Sequence, residues 1–196
     1  SASAPHTSDG QFIYPGTCRN LTEDERHSKM QSHKHSWRIK VPDETVTFND
    51  RHYGRQSLNL AREWGDFIVR RSDGIYAYQL AVVIDDALMG VTEVIRGRDL
   101  LSSSAPQLYL YRLLGFKPPQ FVHLPLLTAP DGRRLAKRDM DLDMGALRSR
   151  YTPEEVVGRL AFLAGLIDKE EPVKASELLH SFDWQKIPKE NITVTN

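Results

Sequence analysis

Short runs in which apolar and polar positions alternate with a period of two lie between residues 36 and 71, and from Ala77 the period becomes helical. The runs SWRIKV (36–41, stopped by Pro42), TVTFND (45–50) and DFIVRR (66–71, closed by the turn SDG) each read as a short strand. Three strands with polar connectors predict a small mixed sheet. Upstream, LTEDERHSKM (21–30) predicts a polar helix capped by Thr22, with acidic residues in its first turn where the helix dipole favours them. From Ala77, the apolar positions Leu80, Ala81, Ile84, Ala87 and Leu88 predict a helix that stops at Gly90. VTEVIRG (91–97) returns to strand character. Ser104 is placed to cap a further helix with Pro106 in its first turn, running through Leu110 and Leu114 to Gly115. A strand is predicted within KPPQFVHLPLL (117–127), followed by the glycine-marked turn and basic loop DGRRLAKRD (131–139). Thr152-Pro153-Glu154-Glu155 is a capping box with proline at the first helical position, and Val156, Leu160, Leu163 and Ile167 form the expected stripe behind it. The fold class these elements predict is α/β (mixed).

Composition changes this picture little. With 196 residues and 40% hydrophobic content the chain can bury one real core. Lys plus Arg and Asp plus Glu are equal at 26 each, so no global basic field announces nucleic acid, although a local basic face remains open. Cys18 is the only cysteine, which excludes an internal disulfide framework and suits a reducing cytoplasm. No apolar run approaches the roughly 18 residues of a membrane span. The opening SASAPHTSDGQFIYPG lacks an initial Met and reads as loop or linker, so the expectation is a chain that begins inside a larger protein.

Three side chains carry candidate chemistry. Tyr78 falls in the first turn of the helix after Ala77, and Arg96 falls at a strand end beside Gly97, where a ligand can approach the backbone. A guanidinium fork and a phenol hydroxyl suit the carboxylate of an acidic amino acid; a buried tyrosine and an arginine paired with Asp85 or Asp86 account for the same residues. Lys137, between Arg134 and Arg138, offers an ammonium to a developing pyrophosphate, or is simply part of a solvated basic turn. His33 and His35 form a His-x-His pair of the kind that binds zinc, or titratable decoration on a polar loop.

The ordered series YQLAVVIDDALMGVTEVIRGRDLL, PPQFVHLPL and DGRRLAKRD resembles the second half of the catalytic domain of class I glutamyl-tRNA synthetases. Arg134, Leu135, Ala136, Lys137 and Arg138 occupy the place of the family's KMSKS signature loop, with Ala136 where serine is usual and Arg134 where lysine is usual. YPGTCR (14–19) is similar to the second half of the zinc site of the glutamyl-Q tRNA(Asp) synthetases, and the tail after residue 155 resembles their short helical ending. The resemblance implies a second-half catalytic domain over 37–139, a remnant of a zinc-binding insertion over 1–36 and a C-terminal helical segment over 140–196. It implies glutamate binding by Tyr78 and Arg96, ATP contact (with Mg) and catalysis by Lys137, and zinc ligation by Tyr14 and Cys18. The implied reaction activates glutamate with ATP and passes the glutamyl group to queuosine in the anticodon of tRNA(Asp).

The family's first half carries a HIGH-type tetrad and a Cys-x-Cys pair, and neither occurs here. The expectation is therefore a portion of such a ligase that is inactive by itself. Two other readings stand beside it: a fragment of a canonical glutamyl-tRNA synthetase, and a non-catalytic module that binds RNA or a partner.

Overall fold

The computed structural model describes residues 13–135 and 144–194. Contacts divide the chain into two compact units, one of residues 1–95 and 99–122, the other of residues 96–98 and 123–196.

In the first unit, α1 (Glu23–Ser32) starts at Thr22, whose hydroxyl accepts the Glu25 amide while the Glu25 carboxylate accepts the Thr22 amide. This reciprocal bonding holds the Glu25 carboxyl below the usual carboxylate range, chiefly through the Thr22 amide. No residue of α1 is buried, as its polar sequence dictates. Strand β1 (Trp37–Ile39) follows, then β2 (Thr45–Asp50) and β3 (Gly54–Asn59). The strands do not form the mixed sheet expected from the pattern. β2 and β3 form an antiparallel hairpin in unbroken register from Thr45↔Asn59 to Asp50↔Gly54, and β1 pairs separately with β4 (Phe67–Arg70). β3 escaped the sequence reading because GRQSLN lacks β-branched and aromatic residues. It is held as a strand by its partner rather than by propensity.

Between β3 and β4 the chain makes a π-helical turn, Leu60–Trp64, closed by the Gly65 amide on the Leu60 carbonyl at 2.7 Å. Gly65 has a φ of 79°, and a Cβ there would lie 2.6 Å from the Ile13 methyl Cγ2, so the close approach of the N-terminal segment requires glycine. Leu60 and Trp64 enter the core with Val41, Leu58, Phe67, Val83 and the buried face of the helix at 104–114.

Helix α2 (Tyr78–Leu88) packs against α3 (Ser104–Leu114). Its buried line is Leu80, Val83 and Ala87, while Leu88 is 75% exposed. At 100° per residue Leu88 lies about 100° beyond that line, which corrects the face expected from the apolar pattern. α3 begins one residue earlier than its predicted cap. Ser103 holds the N-cap position without a side-chain cap bond, Ser104 is inside the helix, and Gly115 ends it in the left-handed conformation.

Strand β5 (Glu93–Gly97) pairs with β6 (Gln120–Leu124), and each runs from the first unit into the second. The second unit continues with β7 (Leu127–Thr128), α4 (Met144–Arg150), α5 (Pro153–Leu163), α6 (Ala175–Leu178) and β8 (Ile192–Thr193), which pairs in parallel with β7. Helices α4 to α6 all lie within 140–196, and the two-residue strand β8 follows them. α5 carries the predicted capping box, with Thr152 and Glu155 bonded reciprocally, and the Thr152 amide holds the Glu155 carboxyl below its usual range. Its buried positions are Gly158 and Ala161, whereas Leu160 is largely exposed and Ile167 lies beyond the helix end. The face is turned because small residues admit the segment at 171–172. A Cβ on Gly158 would stand 1.8 Å from the Glu171 carbonyl oxygen.

This geometry reverses the usual propensity effect of alanine. Gly158→Ala should lower stability by about 1–3 kcal/mol through overpacking, although alanine favours a helix interior by about 1 kcal/mol. Urea unfolding checks the sign, and a stabilised variant would contradict the close approach.

Candidate functional site

Each unit presents its own part of the candidate chemistry. In the first, residues 14–19 form a turn closed by the Arg19 amide on the Gly16 carbonyl at 2.8 Å. The Tyr14 hydroxyl accepts the Cys18 amide at 2.7 Å. Burial is the main cause that raises the Tyr14 phenol above its ordinary range; the Cys18 amide opposes it. The Arg38 guanidinium lies 4.2 Å from the Tyr14 ring centroid, and desolvation lowers its own pKa.

Behind this turn stands Asp66, 6% exposed. One oxygen, Oδ1, accepts Arg19 Nη1 at 2.8 Å and the Val41 amide at 2.9 Å, while the Asp66 carbonyl accepts Arg38 Nη1 at 2.8 Å. Arg19 Nη2 donates to the Val41 carbonyl at 2.8 Å. Sequence reading missed Asp66, Arg19 and Arg38, because partners 22 to 47 residues apart leave no local spacing to find.

Tyr14 and Cys18 are thus brought together within one turn. Among the described residues no group of three or more His, Cys, Asp and Glu side chains is arranged to hold a metal. His33 Nδ1 lies 2.8 Å from the Ser32 hydroxyl, and the His35 ring contacts Trp37 edge-to-face.

Tyr78 is the first residue of α2 and is 52% exposed, so it is not the buried core tyrosine of the structural alternative. Beneath it, Gln79 Nε2 donates to the Ser103 hydroxyl at 3.2 Å and Gln79 Oε1 accepts Gln107 Nε2 at 2.7 Å, with Ser103 and Gln107 both buried. This amide chain fixes the start of α2 against α3.

In the second unit Arg96, near the end of β5, donates from Nε to His123 Nε2 at 2.9 Å. His123 on β6 is fully buried. Because Nε2 accepts, a neutral His123 carries its proton on Nδ1. This bond fixes the Arg96 guanidinium at Nε. His123 was missed, although its signal was present: a histidine in an otherwise apolar strand, QFVHL.

The basic loop opens as a tight hairpin. Thr128 and Arg134 form an antiparallel bridge, the Ala129 amide donates to the Arg133 carbonyl at 2.8 Å, and Leu135 N–H bonds the Leu127 carbonyl at 3.0 Å. Arg134 is exposed and Leu135 half-buried, at the rim of a cavity of about 480 Å³ that Leu147, Arg150, Tyr151 and Arg159 also line. Ala136, Lys137 and Arg138 lie outside the described residues. Tyr78 and Arg96 belong to different units.

A mixed helix-and-strand domain with these motifs in this order has the make-up of a class I synthetase catalytic domain. Residues 4–196 match the family described as tRNA synthetases class I (E and Q), catalytic domain, and the chain belongs to it. Among curated relatives it is 51% identical, over 98% of its length and 60% of the other chain, to the glutamyl-Q tRNA(Asp) synthetase of Symbiobacterium thermophilum. It is 40% identical, over 98% of its length and 64% of the other, to that of Neisseria meningitidis. Among solved structures it resembles a glutamate tRNA ligase from Elizabethkingia meningosepticum, solved in complex with its amino acid, with a TM-score of 0.75 and 28% identity. That match covers 95% of this chain and 43% of the ligase. The chain thus spans well under two thirds of the first of these relatives. No helix among the described residues is long and apolar enough to cross a membrane.

Asp66 generates the clearest prediction. Asp66→Ala strands Arg19 and the Val41 amide and should cost about 2–4 kcal/mol; Asp66→Asn, which keeps an acceptor, should cost less. Denaturant melts measure both, with alkylation of Cys18 expected to quicken in the alanine variant. Melts within 0.5 kcal/mol of the parent ( for the ordinary surface range) would remove Asp66 as an anchor.

Proposed function

We propose that this chain is part of an ATP-dependent ligase that activates glutamate and transfers it to queuosine in the anticodon of tRNA(Asp). One observation carries the reading: the relative 51% identical over 98% of the chain bears the name glutamyl-Q tRNA(Asp) synthetase. In this reading Arg96, aimed by His123, grips a carboxylate of glutamate and the Tyr78 hydroxyl orients it. The second carboxylate attacks the α-phosphorus of ATP, which arrives with Mg, and pyrophosphate leaves. Lys137 offsets the charge that develops on the phosphates, within the signature loop Arg134, Leu135, Ala136, Lys137 and Arg138. A diol hydroxyl of queuosine then attacks the glutamyl carbonyl and AMP leaves.

Zinc has two ligands in this reading, Tyr14 and Cys18, supported by the bond from the Cys18 amide to the Tyr14 hydroxyl that keeps the two residues in one turn. The zinc would fix the fold of residues 1–36 without touching the reaction, while 37–139 supply the catalytic half and 140–196 the C-terminal segment. The compartment that fits ATP, tRNA and a lone thiol is the cytoplasm.

Glutamate transfer by the full-length protein to queuosine-containing against unmodified tRNA(Asp) tests the reading; equal charging, or charging of the tRNA 3′ end, would replace it with a canonical glutamyl-tRNA synthetase. Arg96→Ala should lower kcat/KM for glutamate by about 30-fold or more, as expected for losing charged hydrogen bonds worth about 2–3 kcal/mol. Tyr78→Phe should lower it by about 3–10-fold, one neutral bond. Undiminished activation in both variants would take them out of the glutamate site.

A further inference from the structure

The first unit carries a concave surface that Tyr14, Cys18 and Tyr78 do not line, though His33 and His35 do. It is a groove of about 500 Å³ between the end of α1, the start of β1 and the β4 turn, and Lys34, Trp37, Arg70 and Arg71 line it. Three cations and an indole in one groove stand out in a chain whose charges otherwise balance. Trp37 is 46% exposed, and its Cα partner across the β1–β4 ladder is Arg70. A register shift directly after Trp37 marks a bulge, the device that re-aims a side chain at a sheet edge. The His35 ring buttresses the indole edge-to-face at 6.0 Å between centroids. Arg70 is steadied by its Nε bond to the Gly74 carbonyl at 3.2 Å, and Arg71 by its ion pair with Asp73 at 2.7 Å. That pair is well exposed on both sides, so it exchanges readily for another anion.

We propose that this groove binds unpaired nucleotides of an RNA, with backbone phosphates on Lys34, Arg70 and Arg71 and one base stacked on Trp37. An aromatic platform beside a row of cations is how proteins hold single strands without reading sequence. A duplex offers the phosphates but no open base face for the indole. The inference rests on the reading above that the partner is an RNA, and it adds where that RNA is held. The groove also joins the candidate site along the chain, since Arg70 bridges to Tyr76, two residues before Tyr78. Eight peptide steps from Arg70 to Tyr78 span at most about 28 Å, so an RNA held here can present a neighbouring nucleotide to Tyr78.

Fluorescence anisotropy with an unmodified RNA hairpin bearing an unpaired seven-nucleotide loop, and with a blunt duplex of the same stem, tests this on the whole 196-residue chain. Trp37→Ala should weaken hairpin binding by about 5–100-fold, the range of one base–aromatic stack, and duplex binding by less than about twofold. Trp37→Phe should restore most of it. Replacing Lys34, Arg70 and Arg71 by Gln together should weaken both and flatten the salt slope by about 2, at about 0.7 per phosphate contact on a single strand. Lys34→Gln alone, which breaks no described bond, should flatten it by about 0.7. Asp73→Asn, which frees Arg71, should tighten binding. Hairpin binding unchanged in Trp37→Ala and the triple variant, or equal binding of hairpin and duplex by the parent chain, overturns the groove. Glutamate transfer to queuosine-containing tRNA(Asp) by the full-length protein separates the failures. If the full-length protein transfers glutamate but the 196-residue chain binds no hairpin, the groove falls alone; if it transfers none, the proposed function falls with it.

Discussion

A single buried carboxylate holds the N-terminal part of the first unit in place. Asp66 accepts Arg19 and the Val41 amide on one oxygen, and its carbonyl accepts Arg38. Through Arg19 it reaches the turn that contains Tyr14 and Cys18; through Arg38 it reaches the Tyr14 ring. Through Val41 it reaches the edge of the apolar core. An ionised group at this depth is tolerated only with its partners in place. The turn, β1 and the entry to β4 must therefore assemble together. Gly65, immediately before Asp66, lets Ile13 settle against the same corner.

Two buried polar arrangements then position the candidate chemistry in each unit. The Gln79–Ser103–Gln107 chain ties the first turn of α2 to α3, beneath the exposed Tyr78. His123 holds Arg96 at Nε from inside β6. In both, a buried donor or acceptor limits the conformational freedom of the side chain or helix turn that it holds.

The sequence was most legible where the chain's signals are local. Thr22 and Thr152 with their partner glutamates marked two helix starts correctly, because a capping box is complete within four residues. β2 was read to the residue from its alternation. β3 was not, because Gly54, Arg55 and Gln56 carry no strand preference and the hairpin partner supplies it. The stripes of α2 and α5 were each misplaced by a fraction of a turn, since Val83, Gly158 and Ala161 are buried by neighbours distant in sequence. At the candidate site, the motifs that name Tyr14, Cys18, Tyr78 and Arg96 are local in sequence, whereas the residues bonded around them are not. Asp66, Arg38 and His123 act across tens of residues, where spacing says nothing.

The pairing of β5 with β6 has a consequence for dissection. The second unit takes residues 96–98 from the middle of the first, and β6 changes unit between Val122 and His123. A gene cut anywhere in this chain therefore leaves at least one unit without all its residues. Ending the first unit at Val122 truncates β6 after three of its five residues and leaves Arg96 without His123. The N-terminal piece would keep β5 beside a shortened β6, and the C-terminal piece would lack residues 96–98, so the two should be sought as complementing fragments rather than as independent domains.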